Sequence, residues 1–359
     1  MAQSPSLSPS AARTAQFASP YGLRGGGAPQ RLYAALDLGT NNCRLLVARP
    51  TSQGFRVVDA FSRIVRLGEG LTQTGRLSDA AIARTLDALR VCRDKIRARG
   101  VTRARLIATE ACRSAENGPE FLAEVRERLG LQLEVVDRET EAYLAAAGCG
   151  ELADEAAEST VLFDIGGGSS EIVWMSLGGA GARRVEAWES MRLGVVSLAE
   201  TYGGEAVTPQ IFADMVRHVD EALEPFVARV AHRKRCDRFH LLGTSGTVTT
   251  IAGVHLDLPR YDRRAIDGLW MTSGEVDAAI GRLRAMSYED RVANGCIGAA
   301  RADLVLAGCA ILEAIRLRFP AKRVRIADRG LREGILAQMM RADRVGAHAR
   351  PGGAARGGA

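Results

Sequence analysis

Leu32-Tyr33-Ala34-Ala35-Leu36-Asp37-Leu38-Gly39-Thr40-Asn41-Asn42-Cys43-Arg44-Leu45-Leu46-Val47 sets the architecture of this chain. Its apolar run is interrupted by small and polar residues and then resumes, which reads as strand, polar turn, strand. The pattern returns 127 residues later as Val161-Leu162-Phe163-Asp164-Ile165-Gly166-Gly167-Gly168-Ser169-Ser170-Glu171-Ile172-Val173-Trp174, with Asp37 falling on Asp164 and Gly39 on Gly166. A few matching letters are chance. Two whole strand–Asp-x-Gly–turn–strand units, each opening a region of about 130 to 180 residues, point to a duplicated α/β domain with a cleft between the copies.

The flanking sequence alternates helices and strands in the same style. Leu86, Leu89 and Ile96 at helical spacing predict a helix over 85–97, followed by a strand over 105–109. A helix over 119–129 stopped by Gly130, a strand over 131–136 and a helix over 139–147 complete the first half. The second half predicts helices over 210–231, 273–286 and 301–319, the last ended by Pro320, and strands over 239–242 and 323–327. Residues 1–30 are rich in Ser, Ala, Pro and Gly and carry no acid, so they are expected to be a disordered tail, and 342–359 repeat that composition. The expected division is a tail (1–30), a first domain (31–158), a second domain (159–341) whose C-terminal helix can return to the first, and a tail (342–359).

Composition excludes several classes. The chain has 359 residues, 47% of them hydrophobic, enough for the cores of two domains. The longest uncharged apolar stretch near its end, residues 304–312, is far below the roughly 18 that a membrane span needs. No apolar segment resembles a secretory signal and no Arg-rich amphipathic helix suggests an organellar one, so a cytoplasmic protein is expected. The net charge is +6, but residues 1–30 carry +2 (Arg13, Arg24) and 341–359 carry +3 (four Arg, one Asp). The body is left with about +1, no footprint for specific nucleic-acid binding. Seven scattered cysteines, never C-x-x-C, fit reduced buried thiols and not a disulfide framework or zinc site. The chain lacks H-E-x-x-H, G-x-x-x-x-G-K and G-x-S-x-G, which removes zincin, P-loop and α/β-hydrolase readings.

The chemistry concentrates in three turns of small residues: Gly39-Thr40-Asn41-Asn42, Gly166-Gly167-Gly168-Ser169-Ser170 and Gly243-Thr244-Ser245-Gly246-Thr247. Without bulky side chains, backbone N–H groups can converge on an anion, and the third turn leads into a helix-like run whose N-terminus suits phosphate. A single such turn reads equally well as a tight hairpin; three together favour an oligophosphate site. Asp37 and Asp164 either cap their own turns or hold Mg²⁺ or a water beside the phosphates. An aspartic-protease reading wants a small hydroxyl residue between Asp and Gly, where this chain has Leu38 and Ile165.

Seven segments in order carry a family resemblance: Ala35 to Asn42, Ala108-Thr109-Glu110-Ala111-Cys112-Arg113, Glu139-Thr140-Glu141-Ala142, Asp164 to Glu171, Arg192-Leu193-Gly194-Val195-Val196, Gly243 to Thr247, and Gly330-Leu331-Arg332-Glu333-Gly334. Together they resemble the exopolyphosphatase/guanosine pentaphosphate phosphohydrolase (Ppx/GppA) family, over about residues 32–338. The resemblance implies α/β domains of the duplicated actin/Hsp70/sugar-kinase (ribonuclease H-like) type, with an interdomain cleft. It further implies that the Asp37 and Asp164 turns grip phosphates, that Arg113 binds phosphate, that Glu141 is the catalytic carboxylate, and that Asp164 and Glu171 support Mg²⁺ or Mn²⁺. The Gly243 turn is then the counterpart of the superfamily's nucleoside-side loop.

Hydrolysis of a phosphoanhydride needs a water held in line, a base and positive charge on the phosphate oxygens. Glu141 can project into a cleft from the start of its helix, with Glu139 as the local rival; on the residues alone either is equally an ordinary N-terminal helix acid. Arg113 is a solvated surface side chain or a fork for a terminal phosphate. Two departures stand out: Thr40 and Asn42 where many members have Ser, and only 19 residues after Met340, where larger members carry a helical domain on which processivity or a homodimer would rest. The expected function is release of terminal orthophosphate from inorganic polyphosphate or guanosine pentaphosphate. An ATP-dependent small-molecule kinase of the same fold and a non-catalytic nucleotide sensor are the alternatives.

Overall fold

The computed structural model describes residues 15–16, 31–178, 183–233 and 238–348, and it contains two six-stranded sheets. The first holds β1 (Ala15–Gln16), β2 (Tyr33–Leu38), β3 (Asn42–Thr51), β4 (Gly54–Ile64), β5 (Arg103–Ala108) and β6 (Glu134–Val135). The second holds β7 (Ser159–Ile165), β8 (Ser170–Leu177), β9 (Arg183–Met191), β10 (Phe239–Thr244), β11 (Trp270–Thr272) and β12 (Arg323–Ala327). Strands β2-β3-β4 form an antiparallel meander with β5 parallel beside β2 and β6 parallel beside β5; β7-β8-β9, β10 and β12 repeat that arrangement. The duplication seen in the turns thus extends to whole sheets, giving the expected duplicated α/β architecture.

The first half carries α1 (Leu71–Thr74), α2 (Asp79–Ala98), α3 (Glu110–Ser114), α4 (Gly118–Leu129) and α5 (Arg138–Cys149). The second carries α6 (Val195–Tyr202), α7 (Pro209–Val230), α8 (Gly246–His255), α9 (Arg263–Ile266), α10 (Ser273–Ala285), α11 (Tyr288–Ala293), α12 (Val305–Arg318) and α13 (Leu331–His348). Because strand side chains alternate faces, Ala34, Leu36 and Leu38 of β2 join the core under α2 and α4, while Tyr33 and Ala35 join a second core completed by Leu331, Ile335, Leu336 and Met339 of α13. Ala142, Ala145 and Cys149 of α5 pack on Leu162, Val173 and Leu242 of the second sheet. So α13 covers one sheet, α5 covers the other, and the two helices cross each other between the domains.

That crossing is very close. A Cβ on Gly148 would lie 1.9 Å from the Gly330 carbonyl oxygen, and one on Gly334 2.0 Å from that of Leu144, so only glycine fits at either position.

Several elements differ from expectation: the helix expected over 85–97 begins at Asp79, and the strand expected over 239–242 runs on to Thr244, taking in the first two residues of the third turn. The strand over 131–136 shrinks to Glu134–Val135, because Leu131 and Leu133 turn into the α2/α4 core instead of extending the sheet. The helix expected over 301–319 starts at Val305, and residues 301–304 form turns that deliver Arg301 to the cleft. At the C-terminus α13 continues to His348, past the point where a loose tail was expected, while 349–359 lie outside the described residues. So do 1–14 and 17–30; of the expected N-terminal tail, Ala15–Gln16 pairs antiparallel with Arg103 and Ala104. Among the described residues no helix is long and apolar enough to cross a membrane, and the six described cysteines are buried and free of disulfides.

Candidate active site

The two Asp-x-Gly turns are one structure made twice. Gly39 N–H donates to Asn42 O and Gly166 N–H to Ser169 O, both at 2.9 Å. Strand register sets Asp37 opposite Arg44 and Asp164 opposite Glu171, so the 127-residue offset relates Arg44 to Glu171 as well. The loops meet across the cleft: a Cβ on Gly167 would lie 3.0 Å from Thr40 Cβ, and one on Gly168 2.7 Å from Thr40 Oγ1. Each loop is tied from behind. Val65 and Arg66 N–H donate to Asn41 O and Gly68 N–H to Thr40 O; Val195 and Val196 N–H donate to Gly166 O and Gly167 O, which gives the Arg192–Val196 segment its place.

Of the residues singled out in the sequence, Asp37, Gly39, Thr40, Asn41, Asn42, Glu141, Asp164, Gly166, Gly167, Gly168, Ser169, Glu171, Ser245 and Gly246 line the cleft. Ser245, at φ 97°, holds a strained backbone at the start of α8, and its Oγ is buried without a hydrogen-bond partner among the described residues, as are Asn41 Oδ1 and Asn42 Oδ1. Four residues are not brought to the cleft wall. Ser170 Oγ donates to Leu193 O (2.7 Å), and Gly243 is a packing position where a Cβ would meet the Phe163 ring at 2.5 Å. Thr244 Oγ1 donates to Arg329 O and lines an adjoining chamber. Arg113 lies behind the wall, between Glu110 and Glu141.

Asp137 caps α5, accepting from Thr140 N–H at 2.7 Å, and so fixes the first turn that carries Glu141 into the cleft. Glu139, the rival, does not line it. Four carboxyl groups converge with little compensation. Burial raises Asp37, and it lifts Asp164 to about 6. Burial and then the Asp164 charge lift Glu171 to about 7, against a hydrogen bond from Ser190 Oγ. Burial and then Glu171 hold Glu141 well above the usual carboxylate range, with Arg113 opposing.

Sequence reasoning passed over the cations. Arg44, Arg301 and Arg332 line the cleft or the chamber beyond Asp37 and Asp164, and none of their guanidinium groups makes a hydrogen bond or ion pair among the described residues. Arg44 was legible, since the offset that pairs the two aspartates also pairs it with Glu171. Arg332 lies within the quoted Gly330–Gly334 segment, but nothing nearby in sequence signals Arg301. Among the described residues no three His, Cys, Asp or Glu side chains form a ready-made metal cage. The donor set nevertheless suits Mg²⁺, a hard ion usually held by one or two carboxylates together with substrate phosphates.

The chain is similar to known proteins over most of its length. The model of the Ppx/GppA phosphatase family matches residues 46–343. Exopolyphosphatase 2 of Mycobacterium tuberculosis is 32% identical over 317 residues, 84% of this chain and 96% of that protein. The crystal structure of an exopolyphosphatase-like protein superposes with TM-score 0.78 at 27% identity, over 87% of this chain and 99% of that one. The Aquifex aeolicus member of the Ppx/GppA family gives 0.68 at 28% identity, over 88% and 99%.

Proposed function

The chain belongs to the Ppx/GppA phosphatase family, and we propose that its cleft removes the terminal phosphate of linear inorganic polyphosphate or of guanosine pentaphosphate. The observation that carries this reading is Glu141. Its Oε2 accepts from Arg113, no hydrogen bond among the described residues reaches Oε1, and the side chain faces the space between two phosphate-type loops. Free Oε1 orients a water and takes its proton as the water oxygen bonds to the terminal phosphorus and the bridging P–O bond breaks, giving orthophosphate and a substrate shorter by one phosphate. The raised proton affinity of Glu141 makes it a better acceptor than an ordinary exposed carboxylate.

Backbone N–H groups of the Gly39 and Gly166 turns bind the reacting phosphate, and Arg44, Arg301 and Arg332 supply positive charge to the phosphates of the departing portion. Asp164 and Glu171 would hold Mg²⁺, which when bound neutralises phosphate charge next to otherwise uncompensated acids. Orthophosphate release from polyphosphate and from guanosine pentaphosphate, measured side by side with Mg²⁺, tests the reading. Glu141→Gln is expected to lower kcat about 10²–10⁴-fold with KM nearly unchanged. Orthophosphate from neither substrate, or full turnover by a folded Glu141→Gln protein, overturns it.

A further inference from the structure

We propose that Arg113 is a positioning residue for Glu141 and not a ligand of the substrate phosphate, and that Glu110 is the counter-charge that fixes it; this rests on Glu141 acting as the base. An arginine has five N–H donors in a planar fork. All five are spoken for here. Nε and Nη2 donate to Glu110 Oε2 at 3.1 and 2.5 Å, Nη1 and Nη2 donate to Glu141 Oε2 at 3.3 Å each, and Nη1 also donates to Val136 O at 2.6 Å. The guanidinium stands behind the cleft wall, and a phosphate could claim it only by displacing one of these acceptors.

Glu110 is equally committed, which separates it from Glu141 although both line the cleft. Its Oε1 accepts from Ser114 Oγ (2.5 Å) and Arg138 Nη2 (2.9 Å), and its Oε2 accepts from Arg138 (3.0 Å) as well as Arg113. With both oxygens saturated and two arginines attached, Glu110 has no lone pair aimed at a water. Its task is to hold the Arg113 plane, which in turn pins one oxygen of Glu141 and leaves the other toward the cleft. A positioned base differs from a mobile one by orders of magnitude in rate, whereas substrate affinity is set elsewhere, by the loops.

The proposal separates kcat from KM. In polyphosphate hydrolysis Arg113→Ala is expected to lower kcat about 10- to 100-fold with KM within about twofold of wild type. In the Glu141→Gln background the same substitution is expected to change kcat by less than about threefold, since its effect runs through that carboxylate. Arg113→Lys keeps a cation beside Glu110 but cannot fork, so it too is expected to lose kcat and not KM, and it keeps the test open where the alanine variant fails to fold. Equilibrium binding of polyphosphate to Glu141→Gln and to Glu141→Gln/Arg113→Lys gives a readout free of turnover, and equal affinity is expected. A tenfold or larger loss of affinity, or a KM rise of that size in single and double variants alike, overturns the proposal and makes Arg113 a phosphate ligand. Failure of the functional reading looks different: wild type would release no orthophosphate at all.

Discussion

Replacing Gly148 with alanine tests whether the α5–α13 crossing sets the geometry of the cleft. The added Cβ would sit 1.9 Å from Gly330 O, 2.7 Å from Gly330 C and 2.9 Å from Gly334 N, whereas real Cβ contacts essentially never fall below 3.0 Å. All three atoms are backbone, so no side chain can swing away and the helices must part by about 1 Å. Overpacking of this kind costs roughly 1–3 kcal/mol, and alanine returns up to about 1 kcal/mol of helix propensity. A net loss of about 1–2 kcal/mol is expected, a fall of about 1–3 °C in thermal midpoint for a chain of this size. Glu141 rides on the same helix two turns earlier, and a 1 Å misplacement of a catalytic group can cost about 10²-fold in rate. Calorimetry and orthophosphate release on one preparation read both effects. Gly281→Ala in α10 is the control: nothing lies within 4 Å of its Cβ, so a gain of about 0.5–1 kcal/mol and unchanged activity are expected. A Gly148→Ala protein as stable and as active as wild type would refute the idea that this contact fixes the cleft.

Exhaustive EDTA treatment is expected to abolish orthophosphate release, with Mg²⁺ restoring it; full turnover in EDTA would remove the metal from Asp164 and Glu171. The domains are latched at the cleft mouth by Arg66, which donates to Asp303 (2.9 Å) and Ala300 O (3.2 Å), and by Gly70 N–H to Glu200 (2.8 Å). Asp303→Asn is expected to open the cleft, with a larger radius of gyration by solution scattering and KM raised a few-fold, as suits a half-exposed ion pair of up to about 1 kcal/mol; an identical profile and KM would show the latch idle. His240 is 2% exposed and packs edge-on against Trp270, and burial lowers its pKa to about 4. Its proton therefore binds the unfolded chain first: stability is intact above about pH 6.5 and declines as pH falls toward 4, by at most about 3 kcal/mol. Thermal midpoints of wild type and His240→Gln across that window should show a shallower decline in the variant, and parallel curves would assign the loss to other groups.

The duplicated turns were readable because their signal is local: an Asp, a glycine and flanking apolar residues fix a hairpin whatever surrounds it. The same offset, carried across the hairpin to the next strand, would also have exposed Arg44 opposite Asp37. What the sequence could not show is who claims a side chain once the chain has folded. Arg113 reads as a phosphate fork, and in the fold its donors meet Glu110, Val136 O and Glu141; Gly243 reads as part of a binding loop, and in the fold a Cβ there would meet the Phe163 ring. Arg301 owes its place in the cleft to turns before α12, and a helical pattern running from 301 concealed them. The end of α13 was missed for a compositional reason, since Arg, Ala and Gly after Met340 resemble a tail although the helix continues on an apolar stripe laid down earlier.

The sheet that begins at residue 33 waits for a helix that begins at residue 331. Until Leu331, Ile335, Leu336 and Met339 arrive, one face of β2 and β3, with Tyr33, Ala35, Leu46 and Ala48, has, beyond the sheet itself, only Val136 and Leu144 of its own half packed with it. A ribosome delivers the N-terminal half long before it delivers that helix, so the first half cannot finish folding as it is made. That core stays incomplete through synthesis of the whole second half, because the helix that closes the first sheet is encoded about 300 residues after the strand it covers.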